Sequence, residues 1–165
     1  MSKKEEFVKH ISEGYNFKGE SIILGGAILD GEALADAPVK VPLKTLNRHG
    51  LIAGATGTGK TKTIQVLSEQ LSTFGIPVLM MDIKGDFSGI AMQGEEKSFI
   101  TERHAKINIP YTTASFPVEL LTLSEQNGVR LRATISEFGP ILFSRILNLN
   151  DTQAGVSSVI FNYCD

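Results

Sequence analysis

Eight consecutive residues of this chain have the types and spacing needed to hold a polyphosphate. Gly54-Ala55-Thr56-Gly57-Thr58-Gly59-Lys60-Thr61 fills every fixed position of the pattern G-x-x-x-x-G-K-[ST]. Gly54, Gly57 and Gly59 open backbone conformations closed to residues with a Cβ, so consecutive N–H groups can turn inward around an anion. Lys60 suits the β- and γ-phosphates, and the Thr61 hydroxyl suits a Mg²⁺ ion. At average residue usage the fixed positions would coincide by chance in a chain this long about once in a hundred. The predicted nucleotide site is Gly54, Ala55, Thr56, Gly57, Thr58, Gly59, Lys60, Thr61 and Lys62, with ATP and Mg²⁺ as cofactors.

Such a loop needs a strand before it and a helix after it. Leu51-Ile52-Ala53 reads as a short apolar strand. Ile64, Leu67, Leu71 and Phe74 recur at steps of three and four, which predicts a helix that Gly75 can end. Ile76 to Asp82 is nearly continuously apolar, as expected of a strand buried on both faces of a parallel sheet. Together these predict a right-handed βαβ unit. Asp82 then falls at a strand's carboxyl end, where open α/β sheets place ligands, and Asp86 follows in a loop rich in charge and glycine. The predicted catalytic set is Lys60, Asp82 and Asp86, and the predicted metal ligands are Thr61 and Asp82. A structural carboxylate at Asp82 capping the following loop is the plainer alternative.

Composition bounds the class. With 165 residues, 42% apolar and 21% charged, the chain suits one globular domain and excludes disordered and collagen-like classes. A formal charge of -2 offers no global attraction to nucleic acid, so a DNA role must rest on other grounds. Cys164 is the sole cysteine, which rules out an internal disulfide and favours a reducing, cytoplasmic setting. No apolar run approaches the roughly 20 residues of a membrane span. His10, His49 and His104 are scattered without zinc-ligand spacing.

Ahead of the loop, residues 2–13 read as a peripheral helix. Ile22-Ile23-Leu24, Ala27-Ile28-Leu29 and Val39 to Leu43 read as strands around an Asp30-Gly31 turn, with Pro42 marking an edge. This gives a β-rich lead-in over 1–46 and the first part of an ATPase domain over 47–165. Further along, 94–106 predicts a surface helix, with Glu95 and Glu96 near its positive end. Phe116 to Leu123 and Val129 to Ile135 predict strands, Pro140 opens an apolar helix, and Asp151 caps a last helix. No terminating Gly, Pro or polar tail follows that helix, so the chain reads as the amino-terminal part of something longer.

Four blocks now in view resemble one family. They are Asn47 to Thr61, Val78 to Phe87 with its Asp-x-Lys-Gly-Asp, Ala133-Thr134-Ile135-Ser136-Glu137, and Leu149-Asn150-Asp151-Thr152-Gln153. In that order they resemble the bacterial HerA-like helicases, in particular the branch called DUF853, from about Ile22 to the end. The resemblance implies a RecA-like P-loop NTPase fold, a parallel sheet with flanking helices behind the β-rich lead-in. It also implies a homo-oligomeric, usually hexameric, ring that couples ATP hydrolysis to pumping or unwinding duplex DNA. In that family the Asp-Glu pair that activates water lies on a later strand, and no apolar run ending in Asp-Glu occurs in this chain. These residues are therefore expected to bind Mg-ATP with little turnover. Two alternatives stay open: a small-molecule kinase or GTPase with Asp82 itself on the Walker B strand, and a nucleotide-dependent assembly switch. The absence of an Asn-Lys-x-Asp motif favours adenine over guanine.

Overall fold

The computed structural model describes residues 2–164, which form two compact units divided after Val118. The first begins with helix α1 (Lys3–Gly14). Ser2 opens it with a capping box: the Glu5 amide donates to Ser2 Oγ (3.3 Å) and the Ser2 amide donates to the Glu5 carboxylate (2.9 Å). Strands β1 (Ser21–Leu29) and β2 (Glu32–Pro42) follow as an antiparallel hairpin, turned by Asp30 and Gly31 at φ 50° and 85°. Positive φ at both turn residues matches the right-handed twist of the strands, which is why Asp-Gly serves there. The predicted short runs are thus one strand, with register shifts where Gly25 and Gly26 interrupt the apolar residues.

Leu34 and Ala37 of β2 and Ala27 of β1 form the core, and Phe7, Val8 and Ile11 of α1 pack against them. The helix expected to be peripheral therefore closes one face of the hairpin.

The predicted helix after the phosphate loop is α2 (Lys60–Thr73). It ends as expected at Gly75 (φ 72°), where the Gly75 amide donates to Ser72 O and the Ile76 amide to Leu71 O, both at 2.9 Å. Gln70 of α2 fastens it to the hairpin: its amide donates to Ile23 O (2.7 Å) and accepts from Ile23 N (2.8 Å), supplying both bonds that a neighbouring strand would make. Helix α3 (Ser98–Lys106) begins after Glu95 and Glu96, so these carboxylates precede its first turn rather than occupy it. Ile107, just past α3, packs where a Cβ on Gly26 would come within 2.7 Å, and Asn108 bonds Asp36 across 2.7 Å.

The two strands predicted around the phosphate loop are not formed. Residues 51–53 and 76–82 run as irregular segments, and the parallel sheet expected of them is absent among the described residues. The reason is coverage. A strand buried on both faces needs partners at its edges and layers above and below, whereas Leu79 is 83% exposed and Met81 91%.

In the second unit, β3 (Leu121–Thr122) and β4 (Val129–Arg130) pair in parallel for two residues each, far shorter than predicted. Helix α4 (Ile135–Ile146) starts at a Thr134–Glu137 capping box. It breaks at Gly139 (φ 63°, ψ 171°), after which Pro140 opens the second helical stretch. Helix α5 (Asp151–Cys164) packs on α4, with Phe143 and Phe161 edge to face at 5.5 Å. Its cap is Asn150, not Asp151. The Gln153 amide donates to Asn150 Oδ1 (2.9 Å) and the Asn150 amide to Gln153 Oε1 (3.1 Å), and only Asn150 stands three residues before a side chain able to reciprocate. No described helix is long and apolar enough to cross a membrane.

Candidate nucleotide-binding site

The phosphate loop is a solvent-exposed turn leading directly into α2. Gly57 and Gly59 carry φ of 81° and 95°, and a Cβ on either would meet nothing, so the requirement for glycine there is conformational. Gly54 is glycine for the opposite reason: a Cβ would lie 2.5 Å from Thr58 Oγ1. Thr58 Oγ1 donates to Ala55 O (2.8 Å), and Lys60 Nζ folds back to donate to Gly54 O (2.7 Å) and Ala55 O (2.6 Å). The lysine ammonium thus sits inside the turn.

Gly59 is the N-cap of α2 and has no side chain to offer the helix. The first backbone bond of the helix runs from Thr63 N to Gly59 O (2.9 Å), so the N–H groups of Lys60, Thr61 and Lys62 precede the i→i−4 ladder. Uncapped amides at a helix start, beside a lysine ammonium, are the donor set a phosphate requires. Their fit to a phosphate group is therefore chemical as well as motif-based. Thr61, in the first turn, carries a hydroxyl of the kind Mg²⁺ accepts as ligand.

Asp82 is engaged by its own loop. Its Oδ1 accepts from the amides of Gly85 (2.8 Å), Lys84 (3.2 Å) and Asp86 (3.2 Å), and its Oδ2 accepts from Phe87 N (2.9 Å). These bonds favour the ionised form. The Phe87 amide foremost, opposed by desolvation and joined by Gly85, Asp86 and Lys84, holds the carboxyl below its usual 3.8. Among the described residues, every hydrogen-bond partner of the carboxylate is an amide of residues 84–87, and none belongs to the phosphate loop. Asp82 and Asp86 are brought into one turn, since Asp86 N is among those donors.

What ties this turn to the phosphate-loop helix is a residue that sequence reasoning passed over. Gln65 is buried in α2, donates from Nε2 to Asp86 O (3.0 Å), and accepts at Oε1 from Lys62 Nζ (2.8 Å). One turn on, buried Ser68 donates to Ile64 O (2.8 Å) and reaches Met80 Sδ (3.4 Å), so the 80–86 segment lies against α2. Nothing in the hydrophobic periodicity singles out Gln65, because a polar residue on a helix predicts exposure. Lys62 also acts on Glu69: burial pushes the Glu69 carboxyl above its usual 4.5, and the Lys62 ammonium pulls it partly back. Among the described residues no three His, Cys, Asp or Glu side chains cluster as a metal site.

Comparison with known proteins places these features. A family model described as Helicase HerA-like C-terminal matches residues 28–165. The DNA double-strand break repair helicase HerA of Sulfurisphaera tokodaii is 34% identical over 116 residues, covering 70% of this chain and 21% of that protein. The protein of the same name from Sulfolobus acidocaldarius is 28% identical over 98 residues, 59% of this chain and 19% of that one. The DNA import protein CedB of Sulfolobus acidocaldarius is 28% identical over 148 residues, 87% of this chain and 24% of that one. The chain therefore spans about a fifth to a quarter of the length of these curated relatives. No solved structure matches it. The family match extends over most of the chain and carries the phosphate loop, the Asp82 turn and both helix-capping blocks with it, and the chain accordingly belongs to the HerA-like helicase family.

Proposed function

We propose that this chain is the ATP-binding part of a HerA-like motor, a cytoplasmic P-loop ATPase that works as a homo-oligomeric ring and couples ATP hydrolysis to movement along duplex DNA. The observation that carries the reading is local: three uncapped amides at the start of α2, behind glycines at φ 81° and 95°, with the Lys60 ammonium folded into the turn. In this reading Lys60 exchanges the Gly54 and Ala55 carbonyls for β- and γ-phosphate oxygens, and the backbone of Gly54 to Lys62 orients the phosphate chain. Mg²⁺, when bound, offsets the charge of the phosphates. Thr61 and Asp82 are its proposed ligands. Asp82 has one oxygen suited to that task, since Oδ2 holds only the Phe87 amide whereas Oδ1 holds three.

The RecA-like parallel sheet is part of the same proposal. Leu51–Ala53 and Val78–Asp82 are apolar enough to serve as its strands once other segments cover them. The relatives named as DNA repair helicases and a DNA import protein support the DNA role. On its own the chain binds Mg-ATP and turns over little, because it holds no apolar run ending in Asp-Glu.

Titration calorimetry with Mg-ATP tests the site. Lys60→Ala should weaken binding about tenfold or more, as expected for losing a charge-assisted hydrogen bond. Equal affinity in parent and variant would overturn the assignment.

A further inference from the structure

Helix α2 buries two side chains, Gln65 and Ser68, and both are polar. A buried amide is stable only when its donors and acceptor are satisfied, and the way Gln65 is satisfied is directional. Its Oε1 faces an ammonium, Lys62 Nζ, which can only donate, and its Nε2 faces a carbonyl, Asp86 O, which can only accept. The amide orientation is fixed by its two partners.

Asp86 is gripped from both sides. Its carbonyl is held by Gln65, and its N–H donates to Asp82 Oδ1 (3.2 Å). A continuous hydrogen-bonded path thus runs from Lys62, in the first turn of α2, through Gln65 and the Asp86 backbone to the Asp82 carboxylate. No other side chain substitutes for Gln65. Glutamate could accept from Lys62 but would turn a carboxylate oxygen toward the Asp86 carbonyl, and methionine fills the volume without donating.

We propose that Gln65 is a positioning residue: its amide fixes the Asp82–Phe87 turn to the phosphate-loop helix and thereby sets where the Asp82 carboxylate stands when Mg²⁺ and nucleotide occupy the helix start. The proposal rests on the nucleotide reading above and adds to it a coupling between metal and loop. Lys62 is the moving part. When a phosphate draws its ammonium away, Gln65 keeps Asp86 but loses the partner on its oxygen, so the grip on the Asp82 turn changes with occupancy.

The experiment has two arms on the full chain, using Gln65→Met and Gln65→Glu. In the absence of nucleotide, hydrogen exchange of the Gly85, Asp86 and Phe87 amides should quicken about tenfold in both variants, the effect of losing one buried hydrogen bond. Amides of β1 and β2 should be unchanged, which shows that the fold is kept. In the second arm ATP affinity is measured with Mg²⁺ and with a chelator. For Gln65→Met, metal-free affinity should stay within about twofold of the parent, while the gain conferred by Mg²⁺ falls about tenfold; Gln65→Glu, whose added carboxylate would pair with Lys62, serves the exchange arm only. A merely structural residue would lower both affinities alike, so equal losses overturn the proposal, as do unchanged exchange rates at residues 85–87. If the parent chain binds no ATP in either condition, the nucleotide reading has failed separately, and the exchange arm alone decides whether Gln65 anchors the turn.

Discussion

The hairpin with its helix and the phosphate-loop segment are both rich in apolar residues, yet only the first buries them. In α1, β1 and β2, Ile22, Leu34 and Ala37 are 0 to 1% exposed, and the three elements lie within 42 residues of chain. In the phosphate-loop segment, Leu51, Leu79, Met81 and Ile83 are 83 to 99% exposed. The difference lies in what each needs in order to close. A two-residue turn brings β1 against β2, and α1 arrives from 7 residues upstream, so loop-closure entropy is small. A central parallel strand instead needs crossover partners on each side and layers on both faces. Apolarity specifies burial; it does not supply the partner.

The largest expected effect tests this contrast directly. Leu34→Ala should destabilise the hairpin unit by about 2 to 5 kcal/mol, the range for truncating a fully buried leucine. Leu79→Ala in the same chain should change stability by less than about 0.5 kcal/mol, as for an exposed position without partners. Chemical denaturation followed by circular dichroism measures both. A comparable loss at Leu79 would break the comparison, because it would mean that the 78–82 segment is covered in solution.

The same contrast explains which features could be read in advance. Element ends were legible where a short-range device sets them, as at Gly75 (φ 72°) after α2 and the Asp30-Gly31 hairpin turn; Pro140 marks only the second stretch of α4, which starts at Ile135 within the stretch predicted as a strand. The turn over 54–59 that runs into α2 is legible because glycines at φ 81° and 95° set its backbone, and its phosphate role is the proposal. The predicted strands over 51–53 and 76–82 rest on apolar runs, and the pairing of such strands depends on residues far off in sequence. The cap of α5 belongs to Asn150 and not to Asp151, since two adjacent Asx residues differ only in which one faces Gln153. Gln65 and Gln70 were invisible for a more general reason. Each satisfies backbone groups of a segment brought near by tertiary structure, Asp86 and Ile23, and nothing local marks a glutamine for that role.

A smaller effect sharpens the point about local devices. Asn150→Ala should cost the α4–α5 unit about 1 kcal/mol, typical of a lost N-cap. Asp151→Ala should cost less, because Asp151 contributes only its charge in the first turn of α5. Thermal melts of the two variants rank them, and a larger loss at Asp151 would return the cap to that residue.

The smallest effect concerns Asp82, where a local device and the proposed chemistry use the same atoms. Amides of the 84–87 turn, Phe87 first, favour the ionised carboxylate and depress its pKa below 3.8. A depressed carboxylate contributes stability that is present above its unfolded value, near 3.8, and lost as the pH falls through the lower folded value. The Phe87 and Gly85 amide resonances should therefore hold constant from neutral pH down to that region and shift only below it. Asp82→Asn should remove the transition. A midpoint at or above 3.8 would show that the carboxylate is not held by these amides in solution. Mg-ATP divides the two roles further. If Asp82 Oδ2 moves to the metal, the Phe87 amide loses its partner while Gly85 keeps Oδ1, so Mg-ATP should shift the Phe87 resonance more than that of Gly85. Equal small shifts at both would leave Asp82 as the cap of its own loop and would overturn its proposed role as a metal ligand.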